Sequence, residues 1–425
     1  MHTESAIRPS LEAVRAACAA AGHPERAFQV VQVTGTNGKT STARIIDQLL
    51  RAEAVRTALY TSPPLLCDSE RIVLDGTRIS KSELAAARAA AQKAATVARV
   101  TLTAFEELTL ACFIHLRDAS IDVAVLEVGM GGRWDATSAA NPAVAVITSV
   151  GLDHQAFLGD TIEEIAFDKS HIIKAGSSVI LGESVQNPPG LADIFLKRAT
   201  SFGLHPRCVT ADSFTINASA PTATEFSVTT PHEHYRDLRV AGAAYQASNT
   251  ATALFAAEAA LGRALDPQLV RTAVTQMTFP GRFEVLREDP LLVFDGSHNP
   301  AAAALLAQQL QETAVQLGQK PVIVLGILAD KDAAGIIAAL APVAAGFIVI
   351  EAPGPRALPA AQLAQLVTTI TGSAPLAVVS NVPEVDILRE VLKMTGKQPV
   401  VVTGSLSLYP LLQSLRPVTT NVVAA

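Results

Sequence analysis

The chain has 425 residues, of which 49% are hydrophobic and 17% charged, and a formal net charge of −6. That length exceeds one ordinary core and points to two domains of a folded, largely ordered protein. The acidic balance argues against a nucleic-acid or anionic-membrane surface, while leaving room for a small basic pocket. Cys18, Cys67, Cys112 and Cys208 form no Cys-x-x-Cys pair and read as reduced thiols of a cytoplasmic protein rather than a disulfide framework or zinc site. No basic segment followed by an apolar run opens the sequence, so no signal peptide is expected. The longest uncharged run, 333–350, contains Pro342 and Gly346 and reads as a helix and a strand, not a membrane span.

In chain order, residues 10–22 read as a short amphipathic helix with His23-Pro24 at its exit. An apolar strand over 28–33 then runs into Gly35-Thr36-Asn37-Gly38-Lys39-Thr40-Ser41. A helix follows, with Ile45, Ile46, Leu49 and Leu50 on one face. This is a phosphate-loop context. Glycines let backbone N–H groups curl round an anion, the helix N-terminus adds partial positive charge, and Lys39 reaches the outer phosphates. Val33 stands where the usual spacing has a glycine, so the loop is a shortened form.

Further strands are expected over 57–61, ending in Ser62, over 123–126, ending in Glu127 and the turn Gly129-Met130-Gly131-Gly132, and over 143–148, ending in Asp153-His154. Two Ala-rich helices, 81–98 and 105–116, lie between the first and second of these. Strands alternating with helices predict a mostly parallel sheet, whose ligands sit beyond the carboxyl ends of the strands. Lys39 with Thr40, Ser62, Glu127, and Asp153 with His154 would gather on that edge, a combination suited to a nucleotide and a metal ion.

Thr161-Ile162-Glu163-Glu164 is a capping box opening a helix that Gly176 closes. Lys169 falls on its apolar stripe of Ile162, Ile165, Ala166, Ile172 and Ile173. An ammonium there either snorkels to solvent or needs a partner, a shifted pKa or covalent modification. From 178 to 238 irregular strands and loops are expected, with His205, His232 and His234 on the surface. Gly242, Gln246 and Asn249 precede an Ala-rich helix, and Phe279-Pro280-Gly281-Arg282 marks a domain boundary.

The alternation restarts with strands over 291–294, 322–325, 346–350, 376–379 and 400–402. The first enters Asp295-Gly296-Ser297-His298-Asn299-Pro300 and the last Thr403-Gly404-Ser405-Leu406. The fold expected is therefore α/β: a phosphate-loop ATPase domain over 1–282 with a mostly parallel sheet, and a smaller Rossmann-like α/β domain over 283–425. The second lacks the Gly-x-Gly-x-x-Gly turn of a dinucleotide site.

These residues carry a resemblance. Thr34-Gly35-Thr36-Asn37-Gly38-Lys39, Tyr60-Thr61-Ser62-Pro63, Phe105-Glu106, Leu126-Glu127-Val128-Gly129, Gly131-Gly132-Arg133, Asp135-Ala136-Thr137, Asp153-His154, Pro280-Gly281-Arg282 and Asp295 with His298-Asn299-Pro300 occur in this order. The chain resembles the folylpolyglutamate synthase and dihydrofolate synthase group of the Mur ligase superfamily over nearly its whole length. Pro64, Asp168 with Ser170-His171, and Tyr245 depart from the usual residues of that group.

The resemblance implies an ATP-dependent ligase that phosphorylates a folate or dihydropteroate carboxylate and lets the amine of L-glutamate displace the phosphate. It implies two magnesium ions, admits a monovalent cation beside them, and makes Lys169 a carbamylated lysine. Ser62, Glu127, His154 and Lys169 would hold metal, and Lys39, Lys169, His154 and Glu127 would carry the chemistry. Gly35, Thr36, Asn37, Gly38, Lys39, Thr40, Ser41, Asn249, Arg282 and Asp295 would bind ATP, the last two from an interdomain cleft. Phe105 matches part of a pterin pocket, and His298 and Ser405 match positions near glutamate. The expected partners are small molecules acting on a monomer, with no nucleic acid and no membrane. A Mur-type ligase for another carboxylate and a non-catalytic nucleotide-binding regulator are the alternatives.

Overall fold

A computed structural model describes residues 10–220, 222–380 and 383–415. The chain divides into two compact units: Met1–Asn217 with Glu225–Val240 and Gln246–Met277, and Ala218–Thr224 with Ala241–Tyr245 and Thr278–Ala425. Two short stretches from before the Pro280-Gly281 turn thus belong with the second unit.

The first unit is built on an eight-stranded sheet: β1 (Gln29–Thr34), β2 (Thr57–Tyr60), β3 (Ile72–Leu74), β4 (Thr77–Arg78), β5 (Val123–Glu127), β6 (Val144–Ile147), β7 (Ser178–Leu181) and β8 (Arg207–Cys208). Their spatial order is β4-β3-β2-β5-β1-β6-β7-β8. The run from β2 to β8 is parallel, and β3 and β4 are antiparallel additions at one edge. β1 lies in the interior and is covered on both faces, so its residues from Val30 to Thr34 are all buried instead of alternating between core and solvent. Gln32, fully buried within it, donates to the hydroxyls of Thr137 and Ser138, both at 3.0 Å.

Helices α1 (Glu12–Ala20), α2 (Lys39–Ala52), α3 (Lys81–Ala98), α4 (Ala104–Asp118), α5 (Gln155–Leu158) and α6 (Ile162–Ser170) follow in the expected places. Ile45, Ile46, Leu49 and Leu50 of α2 are fully buried, each contributing about 1.5–3 kcal/mol of apolar burial. Ser80 with Glu83, Thr103 with Glu106 and Thr161 with Glu164 form reciprocal capping boxes on α3, α4 and α6.

Three expectations are corrected. α6 stops at Ser170, and the core residues Ile172 and Ile173 follow in a turn rather than in a helix continuing to Gly176. The segment expected to be irregular contains a helix, α7 (Ala192–Ser201), whose buried stripe is only Phe195 and Ala199, too narrow a period to stand out. Gln246 and Asn249 lie within α8 (Tyr245–Leu261) rather than before it. Helix α9 (Pro267–Thr275) packs beside α2, and a separate sheet is formed by β9 (Phe214–Ser219), β10 (Ala223–Thr229) and β11 (His234–Ala241).

The second unit is a six-stranded sheet of β12 (Glu284–Glu288), β13 (Leu291–Phe294), β14 (Val322–Leu325), β15 (Gly346–Ile350), β16 (Ala377–Val379) and β17 (Val400–Thr403), in the order β12-β13-β17-β14-β15-β16. Only β12 runs antiparallel. Its core joins Val293, Ile323, Leu325, Val349 and Val401 to Ala303, Leu306, Ile336, Ile337 and Leu363, residues of the helices Pro300–Leu317, Ala333–Leu340 and Ala360–Thr371. Among the described residues no helix is long and apolar enough to cross a membrane.

Candidate active site

Strand register sets the site. Val33 of β1 lies opposite Glu127 of β5, Thr34 opposite Ile147 of β6, and Tyr60 of β2 opposite Leu126. Four neighbouring strands therefore end at one level, and the segments leaving β1, β2, β5 and β6 share the carboxyl edge of the sheet.

The phosphate loop is tied to the tip of β6. The amide of Thr36 donates to the carbonyl of Ser149 (3.0 Å), and that of Asn37 to the Ser149 hydroxyl (2.8 Å). The hydroxyls of Thr148 and Ser149 donate to the carbonyl of Asn37 at 2.6 and 2.9 Å. Gly38 precedes α2 at φ +83°, a conformation that favours glycine, and the amides of the first turn of α2 form an anion-attracting terminus.

Two ammonium groups meet at this loop. Lys39 Nζ donates to the carbonyls of Gly35 (2.8 Å) and Thr36 (3.1 Å), and Lys169 Nζ donates to the same Gly35 oxygen at 3.0 Å. Lys169 is only 4% exposed, so it does not snorkel. Burial, and after it the Lys39 ammonium, pull its pKa down to about 7, against the opposing pull of Asp168, Asp153 and Asp135. Two like charges on one carbonyl are an unfavourable pair in the absence of an anion, and a loop of this kind attracts one.

Glu127 closes the other side. Its Oε1 accepts the Thr40 hydroxyl (2.8 Å) and its Oε2 the Ser62 amide (3.1 Å). The Ser62 hydroxyl is buried without a hydrogen-bond partner. A buried orphan oxygen beside a carboxylate and a threonine hydroxyl is a donor set suited to a hard divalent cation. Among the described residues no three His, Cys, Asp or Glu side chains group as a metal cage, so such an ion would draw on hydroxyls and on its other ligands. His154 caps α5 at φ +53°, and its ring is 42% exposed, 3.9 Å from Asp153.

Asn249 belongs to the loop: its Oδ1 stands 2.7 Å from where a Cβ on Gly38 would be. Its Nδ2 donates to Gln246 (2.9 Å), whose own amide reaches the Ser41 hydroxyl at 3.4 Å. Phe105 packs where a Cβ on Gly129 would fall, with its ring 6.2 Å from that of Tyr60. The guanidinium of Arg71 lies 5.2 Å from both ring centroids and donates to the Thr61 carbonyl and the Tyr60 hydroxyl. Sequence reasoning passed over Arg71; its signal was a single cation at the mouth of a short apolar strand. Asp135, buried, accepts the amides of Met130 and Thr137 (both 3.0 Å) and so shapes the glycine turn after Glu127.

In the second unit the residues singled out also share a carboxyl edge. Asp295, at the tip of β13, accepts the Phe283 amide (2.8 Å), the Ser297 amide (2.9 Å), the Tyr245 hydroxyl (3.1 Å) and the Ser297 hydroxyl. Gly404, after β17, donates to the Ser297 carbonyl (3.1 Å), and the Ser405 hydroxyl bonds that of Ser407 (2.7 Å). His298 Nδ1 is 2.9 Å from the Gly296 carbonyl, and the Arg282 guanidinium lies where a Cβ on Gly296 would fall.

Comparison with known proteins gives the family. Residues 33–257 match the Mur ligase middle domain, and residues 281–406 match the Mur ligase glutamate ligase domain. The dihydrofolate synthase/folylpolyglutamate synthase of Mycobacterium tuberculosis is 35% identical over 391 residues, covering 85% of this chain and 78% of that protein. The structure of Mycobacterium tuberculosis folylpolyglutamate synthase complexed with ADP superposes with a TM-score of 0.88 at 32% identity, covering 96% of this chain and 95% of that one. The bifunctional folylpolyglutamate synthase/dihydrofolate synthase of Yersinia pestis, complexed with AMPPNP and Mn ion, gives a TM-score of 0.84 at 28% identity, covering 98% and 95%. The chain belongs to the Mur ligase family, among the ATP-dependent glutamate ligases that comprise folylpolyglutamate synthase and dihydrofolate synthase.

Proposed function

We propose that this ligase serves both reactions of its group, adding L-glutamate to dihydropteroate and to reduced folates, through an acyl phosphate. An oxygen of the substrate carboxylate attacks the γ-phosphorus of ATP and ADP leaves. The amine nitrogen of glutamate then attacks the acyl carbon, the C–O bond to phosphate breaks, and the amide forms with loss of a proton.

The observation that carries this reading is the convergence of Lys39, Lys169, Thr40, Glu127 and Ser62 on one sheet edge around the phosphate loop. Lys39 and the loop amides would hold the β- and γ-phosphates, with Thr36, Asn37 and Ser41 fixing the loop and Asn249 bracing it. Ser62, Glu127 and His154 would hold magnesium, whose part is to offset charge on the transferring phosphoryl group. Two such ions, a monovalent cation beside them and a carbamate on Lys169 complete the reading. A lysine whose pKa lies near 7 is substantially neutral at physiological pH and can add carbon dioxide, turning a misplaced cation into a carboxylate. Phe105 would line the pterin side; Arg282 and Asp295 would serve ATP, and His298 and Ser405 would serve the incoming glutamate.

The test is an assay with ATP, magnesium and labelled glutamate against dihydropteroate and tetrahydrofolate separately. Labelled product from both, with a ladder of lengths from the folate, is expected. Turnover with neither would overturn the reading.

A further inference from the structure

The edge of the first sheet has a side that the chemistry described above does not use. Outward from the phosphate loop, β5 and β2 bring Glu127 and Ser62, and Phe105 packs beside the turn that follows Glu127. In the opposite direction come β6 and then β7. A nucleotide with its phosphates at the tip of β1 and its acceptor over β5 and β2 extends its nucleoside over β6 and β7.

The residue at the tip of β7 is Glu183. The amide of Gly182 donates to the Ile147 carbonyl at 2.7 Å, and a Cβ on Gly182 would meet the carbonyl of Thr148. Thr148 is the residue whose hydroxyl holds Asn37, so Glu183 stands one strand out from the loop. Its Oε2 accepts the hydroxyl of Ser248 at 3.0 Å, and Ser248 adjoins Asn249, which touches Gly38. Glu183 Oε1 has no hydrogen-bond partner among the described residues. A half-buried carboxylate this near a phosphate site is repelled by the phosphates. It is tolerated where it accepts hydrogen bonds from the uncharged part of the same ligand, as acidic residues do with ribose hydroxyls.

We propose that Glu183, oriented by Ser248, is a specificity-determining residue that accepts a hydrogen bond from an uncharged donor of the ATP nucleoside, either a ribose hydroxyl or the exocyclic amine of the base. The inference rests on the ATP site proposed above and extends it from the phosphates to the nucleoside. A purine carrying a carbonyl in place of that amine would set two acceptors against each other, so the same carboxylate would select against it.

The experiment is calorimetric titration of the full chain, its Glu183→Ala variant and its Glu183→Gln variant with ADP, 2′-deoxy-ADP, inosine diphosphate and inorganic tripolyphosphate. Glu183→Ala is expected to raise the Kd for ADP about ten-fold, the scale of one hydrogen bond to a charged group, while tripolyphosphate binds as tightly as before or more tightly, a repelling charge having gone. Glu183→Gln, which keeps an acceptor oxygen, is expected to recover most of the loss. If the ribose is the donor, 2′-deoxy-ADP binds the parent weakly and loses nothing more in Glu183→Ala. If the base amine is the donor, inosine diphosphate behaves that way instead. Unchanged ADP affinity in Glu183→Ala, or equal loss of ADP and tripolyphosphate, would overturn the assignment. Absence of tripolyphosphate and ADP binding in the parent chain would remove the nucleotide site itself, and this proposal with it.

Discussion

Lys39 and Lys169 donate from different helices to one oxygen, the carbonyl of Gly35, at 2.8 and 3.0 Å. A single carbonyl cannot neutralise two ammonium groups, and the Lys39 charge lowers the affinity of Lys169 for a proton. An anion joining the pair, or loss of charge from one member, relieves the repulsion between them. Both remedies suit the proposed chemistry: phosphate for Lys39, and a carbamate for Lys169.

Replacing Lys169 by Ala is expected to lower turnover by at least about 100-fold, the scale of losing one fixed charged group from a phosphoryl-transfer site. Short carboxylic acids such as acetate should restore part of it by standing in for the carbamate. Unchanged turnover in the variant would reject the modification. The same lysine predicts a pH effect. Its folded pKa is lowered from 10.5 to about 7, so between those values the unfolded chain binds the proton and the folded chain does not. The group's contribution to stability therefore rises as pH rises through that window. Denaturant unfolding of the parent and of Lys169→Met across it should show the steeper rise in the parent, the slope left in the variant coming from groups such as Lys174, whose pKa burial lowers to about 8.

Glu127 accepts from both Thr40 and Ser62, so Glu127→Ala removes a proposed metal ligand and frees two donors. Magnesium-dependent turnover should fall at least about 100-fold. These donors are half-buried, so leaving them unpaired costs at most about 1–3 kcal/mol and the melting temperature should drop by only a few degrees, with the circular dichroism spectrum retained.

Gly35 has no room for a side chain. A Cβ there would overlap the Thr148 hydroxyl and lie 3.0 Å from the Ser149 amide nitrogen. Gly35→Ala should therefore move the loop off the tip of β6 and abolish ADP binding in a titration. Thr148→Ala in the same chain eases the nearer contact but not the backbone one, so it should restore stability better than binding.

Glu258 offers a test away from the site. It is fully buried, and its Oε1 accepts the Thr230 hydroxyl (2.6 Å) and the Tyr235 hydroxyl (2.8 Å). Burial raises its pKa above the ordinary 4.5, so the folded state holds the proton more tightly. Its stabilisation is complete below pH 4.5 and is lost as pH rises through the folded pKa. Glu258→Gln should remove that slope, as measured by urea unfolding at a series of pH values.

Much of this site was legible in the sequence because strand tips are punctuated. Glycines, a Ser-Pro pair and lone carboxylates after apolar runs mark where chains leave a parallel sheet, and the register then brings Ser62, Glu127 and Thr148 to one level. What escaped depends on contacts between distant segments. The 134 positions separating Gly35 from Lys169 hide their shared bond, and Arg71 gains its place only when Tyr60 and Phe105 are brought round it. Helix α7 was missed because two buried positions make no visible period. The allocation of Ala218–Thr224 and Ala241–Tyr245 to the second unit follows from the path of the chain, which local pattern does not encode.

The central claim is that the sheet edge around Lys39, Glu127 and Lys169 transfers phosphoryl to a carboxylate of the acceptor. The most direct measurement uses dihydropteroate labelled with oxygen-18 in its carboxylate, with ATP, magnesium and glutamate, and mass analysis of the phosphate released. An acyl phosphate predicts one labelled oxygen in each phosphate formed with product. Phosphate that stays unlabelled while amide accumulates would contradict the account.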